Sequence, residues 1–255
     1  GKEVTAGAFG NSEWLIGSRD GQIVRLNGSD LTLKANAQGI NGSPEIRAIV
    51  RAKDKWVIVT KTGYAAFESG APGMPTQIAQ NRTITAVAVD GETVALGADD
   101  GQVLVGKLSG LDSASWQDAL AGNAVRHIAK GGSNWLAVGD AGKARKLDAN
   151  GQPKGEVETL VDGHPIGGAR KAKGGWMVAA ADISAVQKVD EQLAPPASET
   201  DLLGGSVVRD VAAGGSTMLA VGEGGSYRLL ESDGSTKGEV KTAAGGTTLN
   251  DADWN

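Results

Sequence analysis

Trp135-Leu136-Ala137-Val138-Gly139, closed by Gly142, and Met218-Leu219-Ala220-Val221-Gly222, closed by Gly225, are one short apolar run written twice. Looser copies stand at Trp14-Leu15-Ile16-Gly17 with Gly21 and at Val94-Ala95-Leu96-Gly97 with Gly101. With the tryptophans at 56 and 176 there are six anchors, Trp14, Trp56, Val94, Trp135, Trp176 and Met218, spaced by 42, 38, 41, 41 and 42 residues. Nine residues before each anchor sits the middle of a second motif: Val4-Thr5-Ala6, Ile46-Arg47-Ala48, Ile84-Thr85-Ala86, Val125-Arg126-His127, Ile166-Gly167-Gly168 and Val208-Arg209-Asp210. An offset kept six times is the mark of a structural repeat. After the glycine, Gln22-Ile23-Val24-Arg25-Leu26 and Lys143-Ala144-Arg145-Lys146-Leu147 alternate with the period of a half-buried strand. A polar turn then leads to a weaker fourth strand.

Four short strands in about 41 residues make a blade, and no helical period of similar strength competes. A lone four-stranded sheet has two apolar faces and cannot hide both, whereas a ring of blades buries each sheet between neighbours. The chain is therefore expected to be all-β: a six-bladed β-propeller with four antiparallel strands per blade, in one domain over 1–255. The blades are expected at 4–45, 46–83, 84–124, 125–165, 166–207 and 208–248, with the Trp anchors packed between them. Blades four and six are close relatives, because Lys154-Gly155-Glu156-Val157-Glu158-Thr159 recurs as Lys237-Gly238-Glu239-Val240-Lys241-Thr242. The stretch 249–255 reads as one more first strand, which either closes the ring or begins a following segment.

The Trp-Leu-Ala-Val-Gly-x-x-Gly segments resemble those of bacterial propellers such as the photosystem assembly factor type and the sialidase-like repeat proteins. The resemblance covers nearly the whole chain and implies a propeller fold. It departs from both groups. Ser232-Asp233-Gly234-Ser235-Thr236 matches part of an Asp-box but no Trp closes it, and the Trp-Asp dipeptide of WD repeats is missing from the blades.

Composition narrows the function. A net charge of -5, from 25 Lys and Arg against 30 Asp and Glu, leaves no electrostatic footprint for nucleic acid. Cysteine is absent, which removes disulfides, thiolate metal sites and a cysteine nucleophile together. No apolar run is long enough for a membrane span, and the first residues lack the features of a signal peptide, so a soluble chain is expected. High Ala and Gly with few aromatics suggests a bacterial source, and the absence of cysteine fits export, so a periplasmic or extracellular location is the expectation.

Ligands of propellers gather where the innermost strands begin, and the second residues of those strands are Thr5, Arg47, Thr85, Arg126, Gly167 and Arg209. The arginines fall on alternate blades, so Arg47, Arg126 and Arg209 are expected to converge on the axis, where a small anion, an acidic sugar or a partner's carboxylate would suit their donors. The competing expectation is that each arginine pairs with a nearby carboxylate such as Asp210, Asp251 or Asp253. His127, beside Arg126, and Asp210, beside Arg209, complete the candidate ligand-binding set. No catalytic or metal site is expected, and no cofactor. A sialidase-type hydrolase needs a nucleophilic Tyr with carboxylate partners, yet Tyr64 and Tyr227, the only tyrosines, fall on middle strands. His127 and His164 are the only histidines, too few for a His-rich metal site. Asp99-Asp100-Gly101, Asp140 and Asp148 lack the spacing of a calcium loop. Gly214-Gly215 and Gly222-Glu223-Gly224-Gly225 precede strands and so read as turns, where a phosphate loop would need a following helix. The segments 70–75 and 194–197 read as exposed connectors. Three functions follow, in order: a non-catalytic protein-interaction scaffold, a binder of anions or acidic carbohydrate at the channel mouth, and a glycoside hydrolase with an unrecognised site.

Overall fold

The computed structural model describes residues 3–40, 42, 44–67, 76–79, 82–194, 200–214 and 216–249. Its strands form six four-stranded antiparallel sheets, the blades of a six-bladed β-propeller. Blade one is β1 Val4–Gly10, β2 Glu13–Ser18, β3 Gln22–Asn27 and β4 Leu33–Gly39; blade two is β5 Ile46–Ala52, β6 Lys55–Thr60, β7 Gly63–Phe67 and β8 Thr76–Gln77. Blade three is β9 Ile84–Asp90, β10 Thr93–Ala98, β11 Gln102–Lys107 and β12 Gln117–Asp118; blade four is β13 Val125–Gly131, β14 Asn134–Gly139, β15 Lys143–Leu147 and β16 Pro153–Thr159. Blade five is β17 Ile166–Ala172, β18 Gly175–Ala180, β19 Ala185–Asp190 and β20 Thr200–Asp201; blade six is β21 Val208–Gly214, β22 Thr217–Gly222, β23 Ser226–Glu231 and β24 Thr236–Thr242. Within each sheet, sequence order is spatial order. The chain divides into two compact units, residues 1–100 with 104–116, and 101–103 with 117–255. The tail at 250–255 and the connectors at 70–75 and 195–197 lie outside the described residues.

Every anchor is the second residue of its blade's second strand. Trp56, Trp135 and Trp176 are buried, as are Val94 and Met218. In four blades the last residue of the preceding blade's first strand lies beside the anchor or its stacked cation, and its size matches. In the first unit Ala52 shares an apolar cluster with Val94. In the second, Ala172 does the same with Met218. Where the next anchor is Trp176 the covering residue is Gly131, at which a Cβ would stand 2.5 Å from Cη2 of the indole. Where it is Trp56 the residue is Gly10, at which a Cβ would stand 2.1 Å from Cδ of Arg51. Arg51 lies over the Trp56 ring at 4.9 Å, as Lys130 lies over Trp135 at 4.8 Å and Lys171 over Trp176 at 4.9 Å. Each of these cations is the cross-strand partner of its tryptophan, so the hairpin register alone creates the cation–π pair.

This size matching sets an expected outcome. Gly131→Ala forces a methyl into the rigid Trp176 ring and should cost about 1–3 kcal/mol in urea unfolding. In a Trp176→Met background, which copies the pairing of Ala172 with Met218, the same change should be nearly neutral. Equal costs in the two backgrounds would refute the matching.

Candidate functional site

In all six blades the first and second strands lose register at one place, between residues 4 and 6, 46 and 48, 84 and 86, 125 and 127, 166 and 168, and 208 and 210. The skipped residues are Thr5, Arg47, Thr85, Arg126, Gly167 and Arg209. A bulge takes one residue out of the alternation and re-aims its side chain. The flanking Ile46, Ile84, Val125, Ile166 and Val208 are buried, whereas Arg47, Thr85 and Arg126 are exposed. Beyond the bulge one backbone bond resumes the pairing in five blades: Arg19 N–H to the Glu3 carbonyl at 3.0 Å, Asp99 to Thr83 at 2.9 Å, Asp140 to Ala124 at 3.0 Å, Ala181 to Pro165 at 2.7 Å and Glu223 to Val207 at 3.0 Å.

Polar and charged side chains gather at this end of the blades, and they are paired. Arg47 Nη2 lies 3.1 Å from Glu45. Arg126 is bonded to Asp140. Arg209 is bonded to Glu223 and also donates to the Ala181 carbonyl at 3.2 Å. In the blades whose bulge residue is uncharged, neighbouring residues form the pair: Arg19 with Glu3 at 2.9 Å, Arg82 with Asp100 at 2.8 Å and His164 with Asp182 at 3.2 Å. The carboxylates are thus Glu45, Asp140 and Glu223; Asp251 and Asp253 lie outside the described residues. Arg47 belongs to the first unit, and Arg126 and Arg209 to the second. The guanidiniums stay 40%, 49% and 36% exposed, enough to meet a partner without giving up the carboxylate.

Deeper on the inner strands of the second unit, three side chains from consecutive blades form one network. Nη1 of Arg170, on β17, lies 2.5 Å from Nε2 of His127, on β13, and 3.0 Å from the Ala169 carbonyl. Nη2 of Arg170 faces Oδ2 of Asp210, on β21, at 3.5 Å. Asp210 is buried, and Gly168 makes room for it, since a Cβ there would stand 3.1 Å from its Oδ1. A guanidinium can only donate, so Nε2 of His127 is the acceptor and the imidazole is the neutral tautomer. Burial pushes the His127 pKa down to about 4; Arg170 pushes the same way, while Asp210 and the Ala169 backbone oppose them. The lone pair that would make His127 a general base is occupied, and Arg170 stands between it and Asp210, so the network builds no nucleophile-activating relay. Its charges sum to zero.

The remaining candidates have local tasks. Asp99 accepts from Thr83 N–H at 2.8 Å, and Asp148 accepts from the backbone of Asn150 at 2.8 Å and of Gln152 at 3.0 Å. The Asp-box fragment works in the same way, with Asp233 accepting from the Ser235 N–H at 2.9 Å and hydroxyl at 2.7 Å. Among the described residues no three His, Cys, Asp or Glu side chains group as a metal site, and no helix is long and apolar enough to cross a membrane. Tyr64 and Tyr227 lie on the third strands β7 and β23.

No protein-family model matches the chain, and no curated protein sequence does. Among solved structures it is similar to the computationally designed Ika8 protein, with a TM-score of 0.66 and 17% identity over 90% of this chain and 71% of that one. At that identity the likeness is one of fold.

Because His127 is neutral in the fold and titrates near 6.5 when unfolded, the unfolded chain takes up its proton first as pH falls. His127 therefore contributes its full stabilisation above about pH 6.5 and loses on the order of 3 kcal/mol between there and about pH 4. His127→Gln keeps an acceptor for Arg170 and removes the titration. Urea melts at pH 7.5 and 4.5 should show the wild type losing about that much more than the variant, and parallel losses would contradict the assignment.

Proposed function

We propose that the protein is a non-catalytic interaction module that docks a protein partner at the bulge end of its blades. The supporting observation is the bulge itself, repeated six times, which in five blades re-aims a side chain, Thr5, Arg47, Thr85, Arg126 or Arg209, from the start of the first strand. Arginine, threonine and glycine alternate there without disturbing the fold, as a recognition surface on a constant frame requires. Cations and carboxylates mix on this surface, so the matching partner is a polar protein surface bearing both signs of charge.

A photo-crosslinking residue at Thr85 should capture a partner of discrete mass from native extract, and the same residue at Lys154, exposed on a fourth strand, should not. Charge reversal at Arg126 and Arg209 should weaken capture from a neighbouring crosslinker at Gly167 at least tenfold, on the order of 1.4 kcal/mol. Equal capture from both surfaces, or turnover of a glycoside that His127→Gln abolishes, would reject the proposal. One observation favours an anion as the occupant: Nε of Arg209 is buried with no acceptor among the described residues. A thermal shift with phosphate or an acidic sugar that Arg209→Ala abolishes would establish that reading in its place.

A further inference from the structure

A cavity of about 370 Å³ opens in the first unit, lined by residues of blades two and three. Ala52, Ala66 and Leu108 give it apolar walls, and Tyr64 brings an aromatic side chain whose ring is buried in the core cluster of the two blades. A buried tyrosine ordinarily gives its hydroxyl a partner. The hydroxyls of Tyr64, Thr76 and Ser109 line the cavity, and Thr76 and Ser109 are exposed, so a ligand there meets these hydroxyls in place of water. Burial and the nearby Asp112 raise the Tyr64 pKa, so its hydroxyl keeps its proton and can both donate and accept.

The charges around the cavity choose the ligand class. Lys53 and Lys55 balance Asp54 and Glu92, which disfavours a net anion or cation. Lys53 and Glu92 already neutralise each other at 2.7 Å across the two blades, so a zwitterion would have to break that pair to bind. An apolar ligand would leave three hydroxyls unmet. A molecule with many hydroxyls meets them all, lays its C–H face on Leu108 and Ala66, and bridges the intact Lys53–Glu92 pair with its own donors and acceptors.

We propose that this cavity binds a neutral saccharide, held by the hydroxyls of Tyr64, Thr76 and Ser109 beside the Lys53–Glu92 pair. Titration of the full chain with glucose, maltose and cellobiose, followed by calorimetry, should give a Kd of about 1 mM or tighter for at least one sugar. Glycylglycine and inorganic phosphate should give no heat. Tyr64→Phe keeps the buried ring and removes only the hydroxyl, and should weaken binding about tenfold with an unchanged circular dichroism spectrum. Ser109→Ala, at an exposed site that does not support the fold, should weaken it about threefold. The proposal is overturned if no sugar binds the wild type, if neither variant weakens binding, or if glycylglycine or phosphate binds instead.

Discussion

The structure depends on how one blade covers the next. An anchor on the second strand is apolar on a surface its own sheet cannot hide, and in blades two, three, five and six part of its cover comes from the end of the preceding blade's first strand. Burying a tryptophan here contributes several kcal/mol of transfer free energy, but only if the covering backbone comes close. That sets a rule linking residues some forty-five apart. Glycine stands where the next anchor is Trp176 or where Arg51 stacks on Trp56, and alanine where it is Val94 or Met218. The gain outweighs a visible cost, because the indole N–H groups of Trp56, Trp135 and Trp176 are buried without a partner among the described residues.

With the inner hairpins held that firmly, irregularity can be confined to one place. The bulge frees a side chain at the strand start and leaves five ladder pairs beyond it in β13 and β14 as well as in β21 and β22. A freed arginine near a turn carboxylate pairs with it; where the bulge carries threonine the ion pair is made by Arg19 or Arg82, and where it carries glycine His164 stands beside Asp182. Exposed pairs of this kind contribute little to stability. Their constancy across blades of different sequence therefore fits a surface feature that balances charge better than a device that holds the sheets together.

The fold was legible because its signals are local and repeated. The six anchors, the offset of nine and the blade limits rest on apolar residues with a period of two, and each anchor lies at the same place in its strand. Fourth strands were harder to read. β8, β12 and β20 are two residues each, and β16 and β24 are largely exposed, so neither needs an apolar pattern. The candidate site was legible in part. His127 and Asp210 stand out beside the bulge arginines, but Arg170, which joins them, was hidden two residues further along its strand. Counting by two from Gly168, the residue that matches His127 and Asp210, puts it on their face, and Gly168 leaves the room that Asp210 fills. The cavity beside Tyr64 has no comparable trace, because hydroxyls from three strands and turns have no common spacing.

Blades four and six show how a repeat can look functional and be structural. Their shared Lys-Gly-Glu-Val segments place Gly155 and Gly238 at φ +71° and +83°, a conformation that favours glycine, with open space where a Cβ would be. The turn of backbone exposes a carbonyl that the third strand's arginine takes: Arg145 donates to Gly155 at 2.9 and 2.7 Å, and Arg228 donates to Gly238 at 2.8 Å. The same guanidiniums extend to the outer edge of the preceding blade, to the Asp118 carbonyl at 3.5 Å and the Leu202 carbonyl at 3.4 Å. Arginine serves where lysine would not, because its planar fork reaches acceptors on two sheets at once. These two arginines are thus committed to backbone, whereas Arg126 and Arg209, also on blades four and six, meet side-chain carboxylates at the surface, and that difference in partner separates the staple from the recognition surface.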